Sequence, residues 1–120
     1  MKVSFDIDDL LEELNDESTG TVISLIDEPD VLAYIVNRYV GQFWKDKKYV
    51  DSLVYYILNN YNADCATVET LAKCIKKKEI STLHAHRIVK HPNATENAKK
   101  MMEEFIWNLQ LTHQILQNWL

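Results

Sequence analysis

Three of the four histidines fall close together, at His84, His86 and His91. Histidine is a common metal ligand, zinc included, and a ready general base. Helical geometry argues against a shared ion. On a helix His84 and His86 point about 200° apart, and His84 and His91 share a face but are separated by about 10 Å of rise. Zinc holds its ligands at about 2 Å, and no cysteine stands at ligand spacing. The spacing therefore predicts no metal site, with the histidines at the surface or at helix caps. Acid–base chemistry fares no better. The carboxylates from Asp6 to Glu17 lie on one exposed stretch, where water screens them. No nucleophile elbow, phosphate-cradling loop or zinc-helix motif is present. The expectation is a protein that is not an enzyme and uses no cofactor.

Binding chemistry is better represented. Tyr55 and Tyr56 are matched, further along the chain, by His86 and Arg87. Ile23, Tyr55 and His86 form one expected ladder, flanked by Ser24, Tyr56 and Arg87. Tyrosine and arginine are enriched where proteins bind proteins, and Tyr34 and Tyr49 add to the aromatic set. Lysines gather at two other points, Lys45, Lys47 and Lys48, then Lys76, Lys77 and Lys78. Only Asp46 and Glu79 relieve them. Such an edge would attract an acidic protein, or phosphates, with affinity rising with the number neutralised.

These residues must be positioned by helices. The chain has 120 residues with only two glycines and two prolines, too few to turn a β-rich fold. Apolar residues recur at helical spacing. Residues 6–15 predict an amphipathic helix with Ile7, Leu10, Leu11 and Leu14 on one stripe. Asp16 to Gly20 reads as a loop. Helices are expected over about 21–26, 29–43, 47–60 and 64–77, from near Ile80-Ser81 to about His91, and over 95–120, the last as one long helix or as two with a break near Leu111-Thr112.

The stretch Ile88 to Met102 recurs in altered form as Ile57 to Leu71 and as Leu25 to Tyr39. In each, two apolar residues end one helix, a short polar turn follows, and a new helix begins. The interval shortens by a single residue from the first step to the second. Val22, Val54 and Ala85 are expected to correspond in the core, as are Leu25, Ile57 and Ile88. A near-constant interval of this size indicates a helical repeat array, whose end units need caps.

The turn Ile88-Val89-Lys90-His91-Pro92-Asn93-Ala94-Thr95 resembles that of variant leucine-rich and HEAT-like α-repeats. Those units read as two apolar residues, a polar pair, Pro-Asn, a small residue and an amphipathic helix. Leu25 to Asp30 keeps the proline without the asparagine, and Ile57 to Asn62 keeps the asparagine without the proline. The resemblance implies an all-α, short right-handed stack of about three helix–turn–helix repeats. Residues 1–20 would form an acidic cap, 21–105 the repeats and 106–120 the end of a capping helix, in a single domain. It also implies docking on proteins, and for some HEAT-like members binding of DNA by its backbone.

The formal net charge is −5. Residues 1–30 carry ten acids against Lys2, and residues 31–120 carry twelve bases against eight acids. Cys65 and Cys74, nine apart on one helix, are too distant to bridge. Asn93-Ala94-Thr95 fits a glycosylation pattern but sits where turn chemistry is needed. No leader or membrane span is evident, so a cytoplasmic location is expected. The leading expectation is a protein–protein interaction module, adaptor or small inhibitor of a larger partner. The alternative is a nucleic-acid-backbone binder using the lysine edge. An apolar stripe of Trp107, Leu111, Ile115 and Trp119 suggests a homodimer.

Overall fold

The corner at Pro92 is built from the hydrogen bonds that its residue types allow, and the corner at Tyr61 repeats them. The computed structural model describes residues 16–40 and 47–119. At the Pro92 corner His91 N–H donates to Ile88 O (3.1 Å), Ala94 N–H to His91 O (3.1 Å) and Lys99 N–H to Thr95 O (2.9 Å). At the Tyr61 corner Asn60 N–H donates to Ile57 O (3.0 Å), Ala63 N–H to Asn60 O (3.2 Å) and Val68 N–H to Asp64 O (3.1 Å). The helices that follow are capped alike. Asp64 Oδ1 accepts from Thr67 N–H at 2.8 Å, and Thr95 Oγ1 from Ala98 N–H at 3.0 Å. A short polar side chain at this position satisfies an N–H that the helix cannot.

The described residues are helical, with no strand among them. The helices are α1 (Asp16–Leu25), α2 (Pro29–Tyr39), α3 (Lys47–Leu58), α4 (Cys65–Lys76), α5 (Ala85–Lys90) and α6 (Glu96–Trp119). A 3-10 turn, Thr82–His84, leads into α5. Pro29 occupies the first turn of α2, where a missing N–H costs nothing. Packing pairs α1 with α3, α2 with α4, and α4 with both α5 and α6. α5 also lies along α6. One apolar core runs through all of them, with Ile35, Leu53, Ile57, Leu71, Ile75, Ile88 and Met102 fully buried.

Several expectations are corrected. Asp16 to Gly20 is not a loop but the first half of α1. Tertiary contacts outweigh its weak helix propensity. Thr19 Oγ1 shares a 2.7 Å hydrogen bond with the Tyr49 hydroxyl in the interior. Gly20 lies so close to the Tyr56 ring that a Cβ would stand 2.5 Å from Cζ. This longer helix also shifts the inward stripe by one residue. Ile23 and Ile26 are buried, while Val22 is half-buried and Leu25 is exposed. The buried sets are thus Ile23, Val54 and Ala85, then Ile26, Ile57 and Ile88, and the interval within each set is now constant. Ile23 consequently leaves the expected surface ladder, and its neighbour Ser24 is the exposed residue there. Tyr49 is buried and leaves the aromatic surface as well.

α2 ends at Tyr39 because Val40 is extended, its N–H still bonded to Val36 O. α4 ends in a Schellman turn, with Lys78 N–H on Ile75 O and Glu79 N–H on Cys74 O, both at 2.9 Å. Lys78 takes φ of 63° there, a place that favours glycine. Cys65 is exposed and Cys74 is buried on this same helix, and burial pushes the Cys74 thiol upward. The expected stretch beyond α5 is a single helix of 24 residues to Trp119. The expected helix over 6–15, Lys45, Asp46 and the 41–43 end of the second helix lie outside the described residues.

Candidate docking grooves along α3

α3 presents Tyr55 outward because Leu53, Val54, Ile57 and Leu58 take the inward positions of a helical repeat. Tyr55 therefore stands at the junction of two open cavities. One, of about 550 Å³, lies between α1 and α3 and is lined by Thr21, Ser24, Tyr55, Tyr56, Asn59 and Tyr61, among others. The second, of about 480 Å³, lies between α3 and the start of α5, against Asp51, Tyr55, Leu83, His84 and Arg87.

The Tyr55 ring is held on both sides. Its neighbour Tyr56 meets it edge to face with centroids 5.4 Å apart. The Arg87 guanidinium lies 4.5 Å over its centroid, a cation–π contact. Arg87 Nη1 also donates to Leu83 O at 3.4 Å. Thus Tyr55, Tyr56 and Arg87 of the expected set are brought together. His86 is exposed on α5 and Tyr34 on α2, and neither lines these two cavities. Tyr61 and Leu83, both exposed, join the site unforeseen. Apolar spacing places Leu83 inward, but His84 is the residue that turns in. The signal for Tyr61 is its position, since it stands where the next corner has Pro92.

Beneath the second cavity, Asp51 Oδ1 accepts from Ser81 N–H at 3.1 Å and from His84 Nε2 at 3.3 Å. These bonds strap the connection after α4 to α3. His84 directly precedes α5, in a cap position, but its ring makes no capping bond and is buried instead of lying at the surface. Burial lowers its pKa, the Asp51 hydrogen bond and charge oppose that shift, and the Arg87 charge adds to it. Among the described residues His84 Nδ1 is buried and has no hydrogen-bond partner.

His91 is likewise buried, as a corner residue. Nε2 lies 3.2 Å from Asn60 O, and Nδ1 accepts from Asn93 N–H at 3.1 Å. The second contact fixes the tautomer, leaving Nε2 as the donor. Asn60 does the equivalent job one corner earlier, with Nδ2 on Ile23 O and Ile26 O and Oδ1 accepting from Asn62 N–H. Asn93 Nδ2 reaches Tyr61 O and Ala63 O at 2.9 and 2.8 Å, so its amide belongs to the corner. These ties fix the floor beside the first cavity.

On the far side of the fold, Glu69 accepts from the Thr95 hydroxyl at 2.8 Å, which ties α4 to the start of α6. That bond, then one from Asn97, lowers the Glu69 pKa. Of the lysine edge, Lys76, Lys77 and Lys78 are exposed at the end of α4. Lys47 and Lys48 begin α3. Among the described residues no group of three or more His, Cys, Asp or Glu could hold a metal ion. No described helix is long and apolar enough to cross a membrane. Compared with known proteins, the chain matches no family, no curated sequence and no solved structure.

Proposed function

We propose that the protein is a non-enzymatic interaction module, an adaptor or small inhibitor, that docks on a larger protein through the grooves along α3. The observation that carries this reading is Tyr55, raised between two open cavities and backed by the Arg87 guanidinium. A rigid aromatic residue loses little side-chain entropy on binding, and a stacked arginine is already oriented. Tyr61 and Leu83 extend the apolar contact at either end. The matching corners at 57–68 and 88–99 support a short right-handed stack of HEAT-like helix pairs beneath this surface. In such a stack the helices α1, α3 and α5 line up with grooves between them.

The test is affinity capture from the native host with the wild-type chain and with Tyr55→Ala and Arg87→Ala, followed by measured affinities for the protein recovered. Both side chains reach the surface, so folding is retained. Loss of about 30-fold or more in affinity for each variant is expected of central contacts. Unchanged affinity overturns the docking face. Binding instead to DNA or RNA that falls steeply with salt, and vanishes when Lys76, Lys77 and Lys78 are neutralised, would assign the function to the lysine edge.

A further inference from the structure

Among the described residues, none packs over the last half of α6. Every described side chain from Trp107 to Trp119 is exposed, whereas Ala98 and Met102 in the same helix are buried. Trp107, Leu111, Ile115 and Trp119 follow one another at four-residue spacing, which makes a continuous ridge on a helix. Their exposure runs from 42% at Leu111 to 82% at Trp119. A small helical fold does not ordinarily leave two tryptophans in water.

We infer that this ridge pairs with the same ridge of a second copy of the chain, antiparallel, about a two-fold axis level with His113. Three observations select a second copy. First, the ridge is symmetric about its centre: Trp107 and Trp119 are equidistant from His113, and so are Leu111 and Ile115. An isologous contact requires that each residue i meeting j also has j meeting i. Here Trp107 of one copy meets Trp119 of the other, and Leu111 meets Ile115. Second, no charged residue occurs from Phe105 to Leu120 in a chain of net charge −5. This is where two like-charged copies approach without repulsion, and a strongly charged partner would find nothing to complement it. Third, the area suffices. With large side chains presenting about 150–250 Å² each, the ridge offers roughly 500 Å² per copy. Two copies bury about 1,000 Å², the threshold for a specific interface. Ridges at four-residue spacing pack at a crossing angle of about −50°, and both helix axes then run in opposed directions with opposed dipoles.

Sedimentation equilibrium of the full chain tests this. Wild type is expected to dimerise reversibly in the micromolar range, with Trp emission shifting to the blue as it does. Leu111→Glu alone and Ile115→Lys alone should each weaken dimerisation on the order of 30-fold or more, because a buried charge then faces an apolar residue. Their circular dichroism should be unchanged, since both positions are exposed in the single chain. The double variant Leu111→Glu/Ile115→Lys should regain much of the affinity, because antiparallel pairing sets each new acid against a new base. A strict monomer at several hundred micromolar overturns the proposal, as does a dimer indifferent to the single changes. A double variant that stays monomeric overturns the two-fold register. Tyr55→Ala should leave the dimer intact, which keeps this result independent of the grooves along α3.

Discussion

His91 Nε2 donates to the carbonyl oxygen of Asn60 at 3.2 Å, so this corner residue is held by the residue that does the same job one corner earlier. The chain uses an imidazole at one corner and a carboxamide at the other for the same turn. Both groups place an acceptor next to the N–H two residues on and a donor toward the preceding corner. Replacing His91 by Ala should therefore strand the half-buried Asn93 N–H and leave the Asn60 carbonyl with only the Ala63 N–H as donor, at about 1–3 kcal/mol. His91→Asn restores the acceptor for Asn93 and should cost less than half as much. Urea unfolding midpoints compare the two. Equal losses would mean that packing against the Tyr61 ring, 5.9 Å away, is what matters at this corner.

Gly20 and Tyr56 make a second linked pair. By helix propensity alone Gly20→Ala would stabilise α1 by about 1 kcal/mol. The Tyr56 ring, 2.5 Å from the new Cβ, must swing toward the cavity it lines. Overpacking of this kind costs about 1–3 kcal/mol, so a net loss is expected. In a Tyr56→Ala background the same change should become neutral or favourable. A double-mutant cycle with no coupling between the two sites would contradict the close approach.

His84 makes stability depend on pH in a predictable direction. Its folded pKa is lowered, chiefly by burial. As pH falls below about 6.5, the unfolded chain therefore takes up a proton before the folded one does. Stability associated with the neutral ring is complete above that pH and is lost as pH falls toward the folded value. In His84→Gln the ΔG of unfolding should decline less between pH 7 and pH 5, whatever its level at pH 7. Parallel pH profiles for variant and wild type would show that the ring titrates alike in both states.

Lys78 holds φ of 63° at the end of α4. A side chain in this region costs about 1 kcal/mol relative to glycine. Lys78→Gly should stabilise the protein by about 0.5–1 kcal/mol, and Lys78→Val should destabilise it. Thermal unfolding of the three proteins ranks them. A lower midpoint for Lys78→Gly would show that the lysine side chain itself supports the turn.

Much of the helical pattern was legible in the chain. Pro29, Asp64 and Thr95 begin helices through local chemistry, and the apolar residues of α3 and α4 declare their inward faces by spacing alone. The likeness of Asn60-Tyr61-Asn62-Ala63 to His91-Pro92-Asn93-Ala94 is written in residue types, because a turn's hydrogen bonds are short-range. Tertiary contact decided the rest. Asp16 to Gly20 becomes helical only because Tyr49 and Tyr56 of α3 meet it. That extension moves Leu25 out and Ile23 in, a change of one residue that no local signal records. His84 goes inward and Leu83 outward because Asp51, on a different helix, accepts the imidazole N–H. Spacing along one helix fixes which residues share a face; which face is covered depends on the neighbour that arrives, and polar side chains with distant partners can reverse the apparent choice.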